Sequence, residues 1–105
     1  MKPIKLLFVS LLLLVGGLST ATAETIRIAT EGAYPPFNMK NAGGELIGFD
    51  VDIAKALCAE MNADCEIVAQ DWDGIIPGLL AKKYDAIIAS MSITPERMQK
   101  VDFTK

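Results

Sequence analysis

The sequence predicts an α/β lobe built on a small parallel sheet and preceded by an export signal. Segments of strand character occur at 25–29 (T-I-R-I-A), 65–69 (C-E-I-V-A) and 85–89 (D-A-I-I-A). Two stretches with helical apolar spacing separate them, giving the order β-α-β-α-β. That order joins parallel strands through right-handed crossovers. At 105 residues the chain has room for one small domain at most.

The first 23 residues read as a secretory signal peptide. Lys2 and Lys5 supply a positive start, residues 6–15 form an apolar run, and Ala21-Thr22-Ala23 is an A-x-A cleavage signal. A membrane anchor would need about 18 or more apolar residues, and Gly16, Gly17, Ser19 and Thr20 interrupt the run too early. The expected mature segment is 24–105, exported and more acidic than the precursor because two lysines leave with the signal.

Each later element has a local reason. The first strand alternates β-branched residues and stops at Gly32 and Pro35-Pro36. Asn41-Ala42-Gly43-Gly44 marks a hairpin turn. Asp50 is the expected cap of a helix in which Ile53, Ala54, Leu57, Cys58 and Met61 recur at helical spacing. After the second strand, Asp73 is the expected cap of a second helix. Its inner face would be Ile75, Ile76, Leu79 and Leu80, with Pro77 in its first turn. After the third strand, Thr94-Pro95 opens a short helix by an N-cap followed by proline, and an extended pattern resumes at 101–103.

Charge and composition exclude several function classes. With 13 acidic and 10 basic residues and no basic block, the chain lacks the footprint of a nucleic-acid binder. It has no histidine, which removes His-based triads and proton shuttles, and two cysteines cannot complete a structural zinc site. No cofactor or metal site is expected. In an oxidising compartment Cys58 and Cys65 can close a short disulfide loop, for which chain entropy gives about 2.5 kcal/mol. Two buried free thiols are the alternative.

Parallel strands place the loops that follow them along one carboxyl edge, where open α/β sheets bind ligands. On that edge Arg97 falls in the first turn of a helix, where the macrodipole disfavours a cation. A guanidinium there, beside Ser90, Ser92 and free helix N–H groups, would grip a carboxylate. Solvation, or a surface pair with Glu96 or Asp102, is the other reading. Tyr34 and Trp72 lie in edge loops and can flank a ligand side chain, or one of them can simply lid the core. Glu31 can pair with a ligand cation or remain a solvated surface acid. No nucleophile–base pair accompanies this amino-acid-shaped set, so no catalytic residue is expected.

The stretches I-A-T-E-G-A-Y-P-P-F-N (28–38), I-G-F-D-V-D-I-A-K-A-L-C (47–58), D-W-D-G-I-I-P-G-L (71–79), K-Y-D-A-I-I-A-S-M-S-I-T-P-E-R (83–97) and V-D-F-T (101–104) resemble the periplasmic solute-binding proteins of polar amino-acid ABC transporters. The resemblance covers essentially all of 24–105 and is nearest to lysine/arginine/ornithine, histidine and opine binders. It implies a periplasmic binding protein type II fold, of which this chain covers the first lobe, with the second lobe missing beyond Lys105. It further implies that Arg97 binds the ligand α-carboxylate, that Ser90 and Ser92 help hold the α-amino and α-carboxylate groups, that Tyr34 and Trp72 flank the side chain, and that Glu31 pairs with a basic one. Cys58 and Cys65 match a disulfide of the basic amino-acid binders. Ala89 stands where several of those binders carry a hydroxyl residue, whereas opine binders tolerate alanine there.

The implied partners are a small-molecule amino acid and an inner-membrane ABC permease, with no nucleic acid and a monomeric state when complete. A fold-related cyclohexadienyl dehydratase and an extracellular sensing domain are the competing classes. Intact-mass analysis of exported material should show loss of residues 1–23 and of two hydrogens at Cys58 and Cys65. Two free thiols in non-reduced material would refute the disulfide.

Overall fold

The computed structural model describes residues 25–105, so the expected export signal lies outside the described residues. In chain order the elements are β1 (Ile26–Thr30), β2 (Ala33–Tyr34), β3 (Asn38–Lys40), β4 (Leu46–Ile47), α1 (Phe49–Glu60), β5 (Cys65–Ala69), α2 (Trp72–Leu80), β6 (Ala86–Ile87) and α3 (Pro95–Met98). The main sheet has the order β5-β1-β6, with both pairings parallel. The register sets Ile26 opposite Cys65, Thr30 opposite Ala69, and Ile28 opposite Ala86.

A central parallel strand is covered on both faces, and β1 accordingly buries Ile28, Ala29 and Thr30 in succession. Ile28 packs with Ala54 and Cys58 of α1 on one face. On the other face Ala29 packs with Ile75 of α2, Tyr84 and Ala89. Gly78 lets Tyr84 lie close against α2, since a Cβ there would overlap the phenol. The Tyr84 hydroxyl donates to the Ile75 carbonyl, and burial raises its pKa. A disulfide joins Cys58, near the end of α1, to Cys65 at the start of β5, with Cα atoms 6.2 Å apart.

Several expected boundaries move. Residues 33–47, read as a loop around a turn, instead form a second, antiparallel sheet, β2-β3-β4. The turn itself is where the sequence put it. The Asn41 side-chain oxygen accepts from the N–H groups of Gly43 and Glu45. Asp50 is not the cap of α1. The cap is Gly48, and the first free helical N–H groups go to backbone: Phe49 N–H to the Pro36 carbonyl and Asp50 N–H to the Phe37 carbonyl. With the helix start closed by backbone, the Asp50 carboxylate is free to turn inward, where the residue is 5% exposed.

The second helix starts earlier than expected. Asp71 occupies the N-cap, and Asp73 sits in the first turn as an acid favoured by the macrodipole. Pro77 therefore falls in the second turn, where its missing N–H removes a helical bond to the Asp73 carbonyl. Leu80 is exposed and does not join the inner face.

Ile53, Leu57 and Met61 form a second apolar stripe on α1 that is exposed among the described residues, while Val51, Ala54 and Cys58 face the sheet. The third strand, Ala86–Ile87, is shorter than expected, although Asp85 N–H to the Arg27 carbonyl and Ile88 N–H to the Ala29 carbonyl continue its pairing with β1 at either end. Beyond it the chain turns at Ser90, whose φ is 54°. The short helix α3 forms as expected, with the Thr94 hydroxyl accepting from Arg97 N–H at 3.2 Å. Residues 101–103 join neither sheet.

Gly48 carries a strict requirement. Its φ of 122° with ψ of −179° is open essentially to glycine alone, and a Cβ would lie 2.6 Å from the Phe37 carbonyl oxygen. Gly44, at φ 80°, has no atom within 4 Å of where a Cβ would stand. Gly48→Ala should therefore destabilise the fold by about 2 kcal/mol or more, and Gly44→Ala by about 1 kcal/mol, in urea titrations of the two variants. Equal losses would contradict this packing.

Candidate functional site

All three parallel strands deliver their following loops to one edge, as the topology requires. The pairing of β1 with β5 runs right up to this edge, with Gln70 N–H, just past β5, donating to the Thr30 carbonyl at 2.9 Å. Trp72 opens α2 just beyond β5 and faces α3, where the Arg97 guanidinium lies over its ring at 5.4 Å from the centroid. Arg97 Nη1 also donates to the Ser92 carbonyl at 2.9 Å.

These two contacts explain how a cation is tolerated early in a helix. The indole face and a carbonyl oxygen supply the negative potential that the macrodipole withholds. Arg97 pairs with neither Glu96 nor Asp102; the ion pair found among the described residues joins Arg27 to Glu66 at 3.6 Å. A guanidinium has five N–H donors, so those not directed at Ser92 remain for a carboxylate. Trp72, Ile76, Met91, Thr94 and Arg97 line an open cleft of about 610 Å³. The helix contributes less than expected, because α3 has four residues, Pro95 has no N–H and the Arg97 N–H is taken by Thr94.

The remaining expected residues divide. Ser92 contributes its carbonyl, with the side chain exposed. The Ser90 hydroxyl turns away from Arg97 to Asp50, 2.8 Å from each carboxylate oxygen. Tyr34 is 47% exposed and stacks, tilted, on Phe37 at 5.0 Å, so its aromatic neighbour is Phe37. Glu31 directly follows β1, half-buried, with no hydrogen bond or ion pair among the described residues. Ala89 is buried in the core and adds nothing to the edge.

The sequence reading missed a buried polar group beneath this edge. Asn38 donates its amide to Asp50 at 2.9 Å and accepts from Gly32 N–H at 2.7 Å. Asp50 takes the Ser90 hydroxyl from the other side. Asp50 carries a signal in the sequence, an acid two residues after a glycine, but that signal reads equally as a cap. Thr30, at the carboxyl end of β1, is 1% exposed with its hydroxyl unpartnered. No cluster of three His, Cys, Asp or Glu residues among the described residues is placed to hold a metal ion.

Residues 26–105 match the model of the bacterial extracellular solute-binding proteins, family 3. The chain belongs to that family. It is 50% identical to an octopine-binding periplasmic protein of Rhizobium meliloti, over 96% of this chain and 34% of that protein. It is 54% identical to an L-arginine-binding protein of Pseudomonas aeruginosa, over 80% of this chain and 32% of that protein.

Among solved structures, a periplasmic binding protein of Salmonella typhimurium with high arginine specificity superposes with a TM-score of 0.75 at 42% identity, over 79% of this chain and 37% of that one. An ancestral cyclohexadienyl dehydratase gives a TM-score of 0.73 at 36% identity, over 77% and 34% of the two chains. The chain thus spans about a third of the length of the relatives it matches.

Trp72 is the single tryptophan in the sequence, which makes the contact with Arg97 measurable. Arg97→Ala should uncover the indole and move its emission to longer wavelength, while Glu96→Ala leaves it in place. Identical spectra for the parent and Arg97→Ala would place the guanidinium elsewhere.

Proposed function

We propose that this chain is the first-lobe portion of a periplasmic solute-binding protein that captures a basic amino acid, or an opine derived from one, for an inner-membrane ABC permease. The observation that carries this reading is the Arg97 guanidinium lying over Trp72 at the carboxyl edge, with donors left for a carboxylate. A bidentate guanidinium–carboxylate pair recognises the part common to all amino acids, and the indole beside it offers a face for the rest of the ligand.

Glu31, unpaired among the described residues on the same edge, is the group we assign to a cationic side chain. Tyr34 remains the assigned second flanking ring, and its exposure leaves it accessible to a ligand. The names of the octopine- and arginine-binding relatives support a ligand of this charge. The periplasmic location in the name of the octopine-binding relative supports export of this chain by the signal at 1–23.

Binding is favoured over catalysis. Acid–base or nucleophilic chemistry needs an accessible base beside the group it activates. The one hydroxyl–carboxylate contact on this edge, Ser90 with Asp50, has its carboxylate buried and also engaged by the Asn38 amide, and Glu31 has no side-chain partner among the described residues. The likeness to an ancestral dehydratase reflects the shared fold, and a fold by itself carries no activity.

Calorimetry on the chain supplied with a complete second lobe tests the assignment. Arg97→Ala should weaken arginine binding by about 2–5 kcal/mol, more than Arg97→Lys, and both more than Glu96→Ala. Glu31→Gln should narrow the preference for cationic over short neutral amino acids while leaving carboxylate recognition intact. Unchanged affinity in Arg97→Ala, or tighter binding of glutamate than of arginine by the parent, would overturn it.

A further inference from the structure

Asp50 is a buried carboxylate with no cation beside it among the described residues, held by the amide of Asn38 and the hydroxyl of Ser90. Its site at the second position of α1 places it in the positive end of the helix dipole. An ionised carboxylate only accepts hydrogen bonds. The single Ser90 proton, 2.8 Å from both carboxylate oxygens, therefore points inward.

The other end of the network is equally fixed. Asn38 takes Gly32 N–H on its oxygen, so its NH2 must face Asp50. Ser90 itself is an exposed residue on the carboxyl edge, held in the left-handed region at φ 54°, which costs about 1–3 kcal/mol for a residue with a side chain. Strain of this kind persists where the surroundings impose it, and here the single hydroxyl proton that Ser90 shares between the two Asp50 oxygens does so.

We propose that Asp50 is a positioning residue that fixes the polarity of the binding edge. By holding the Ser90 proton it leaves Ser90 to meet a ligand as an acceptor only, which selects an ammonium group and rejects a ligand lacking one. The proposal rests on the amino-acid-binding reading above. It also joins the two ends of the site, since the same chain of bonds runs from Gly32, beside Glu31, through Asn38 and Asp50 to Ser90.

Asp50→Asn reverses this polarity. The Asn38 NH2 needs an acceptor, so the introduced amide oxygen turns to it and the introduced NH2 faces Ser90. Ser90 must then accept inward, and its proton swings out toward the ligand.

The test compares L-arginine with 5-guanidinopentanoate, which is arginine without its α-amino group, by calorimetry on the chain supplied with a complete second lobe and on its variants. The parent should bind arginine more tightly than the analogue. Asp50→Asn and Ser90→Ala should each lower arginine affinity roughly tenfold or more and leave the analogue unchanged, and the double variant should match the single ones. Asp50→Glu, which keeps the charge but displaces it, should also reduce the arginine-to-analogue ratio and serves if Asp50→Asn fails to melt cooperatively.

A ratio unchanged in Ser90→Ala, or equal losses for both ligands in the Asp50 variants, would overturn the proposal and leave Asp50 a purely structural group. A parent that binds neither ligand would remove the amino-acid reading, and this inference with it.

Discussion

The parallel pairing of β1 with β5 on one side and β6 on the other is the constraint from which the site follows. Because the three strands run the same way, their outgoing loops share one edge, and because β1 is central, both of its faces must be covered. The helices that cover it begin at that same edge. This brings Trp72 at the head of α2 and Asp50 in the first turn of α1 beside the loop that carries Ser90 and Ser92. No residue of the site needs a special fold of its own.

Two kinds of polar arrangement share the edge, and they differ in burial. Arg97 is partly exposed and weakly constrained, resting on an indole face and one carbonyl. Exposed charge contacts of this sort contribute little stability, which leaves the guanidinium free to redirect its donors. Asp50 lies deep, and each of its hydrogen bonds is made with a neutral partner in a low-dielectric setting, where losing one is costly. The small antiparallel sheet supplies Asn38 to this network, and so gives residues that the sequence showed as a loop a part in the architecture of the edge.

The exposed apolar stripe of Ile53, Leu57 and Met61 along α1 shares a hollow of about 550 Å³ with the half-buried Ile88, Val101 and Phe103. An apolar surface of this kind tends to be covered in a stable assembly. The chain covers about a third of its relatives' length, so a short lobe with an open apolar face agrees with the extent of the match.

Period and punctuation in the sequence determined the β-α-β-α-β succession of the main sheet, the hairpin turn at Asn41–Gly44 in outline, the Thr94 cap and the candidate edge residues, because each depends on local spacing that neighbouring residues carry with them. Trp72 and Arg97 were legible as edge residues for that reason. Tertiary contact alone decided the rest. Asp50 and Asp73 both look like caps locally, but whether a helix start is closed by a side chain or by another segment's carbonyl depends on where that segment lies, and the Pro36 and Phe37 carbonyls reach α1 only once the chain has folded back. Likewise Tyr34 turned to Phe37, and Ser90 turned to Asp50 across 40 residues of sequence, because side-chain partners are set by proximity in space, which local pattern does not encode.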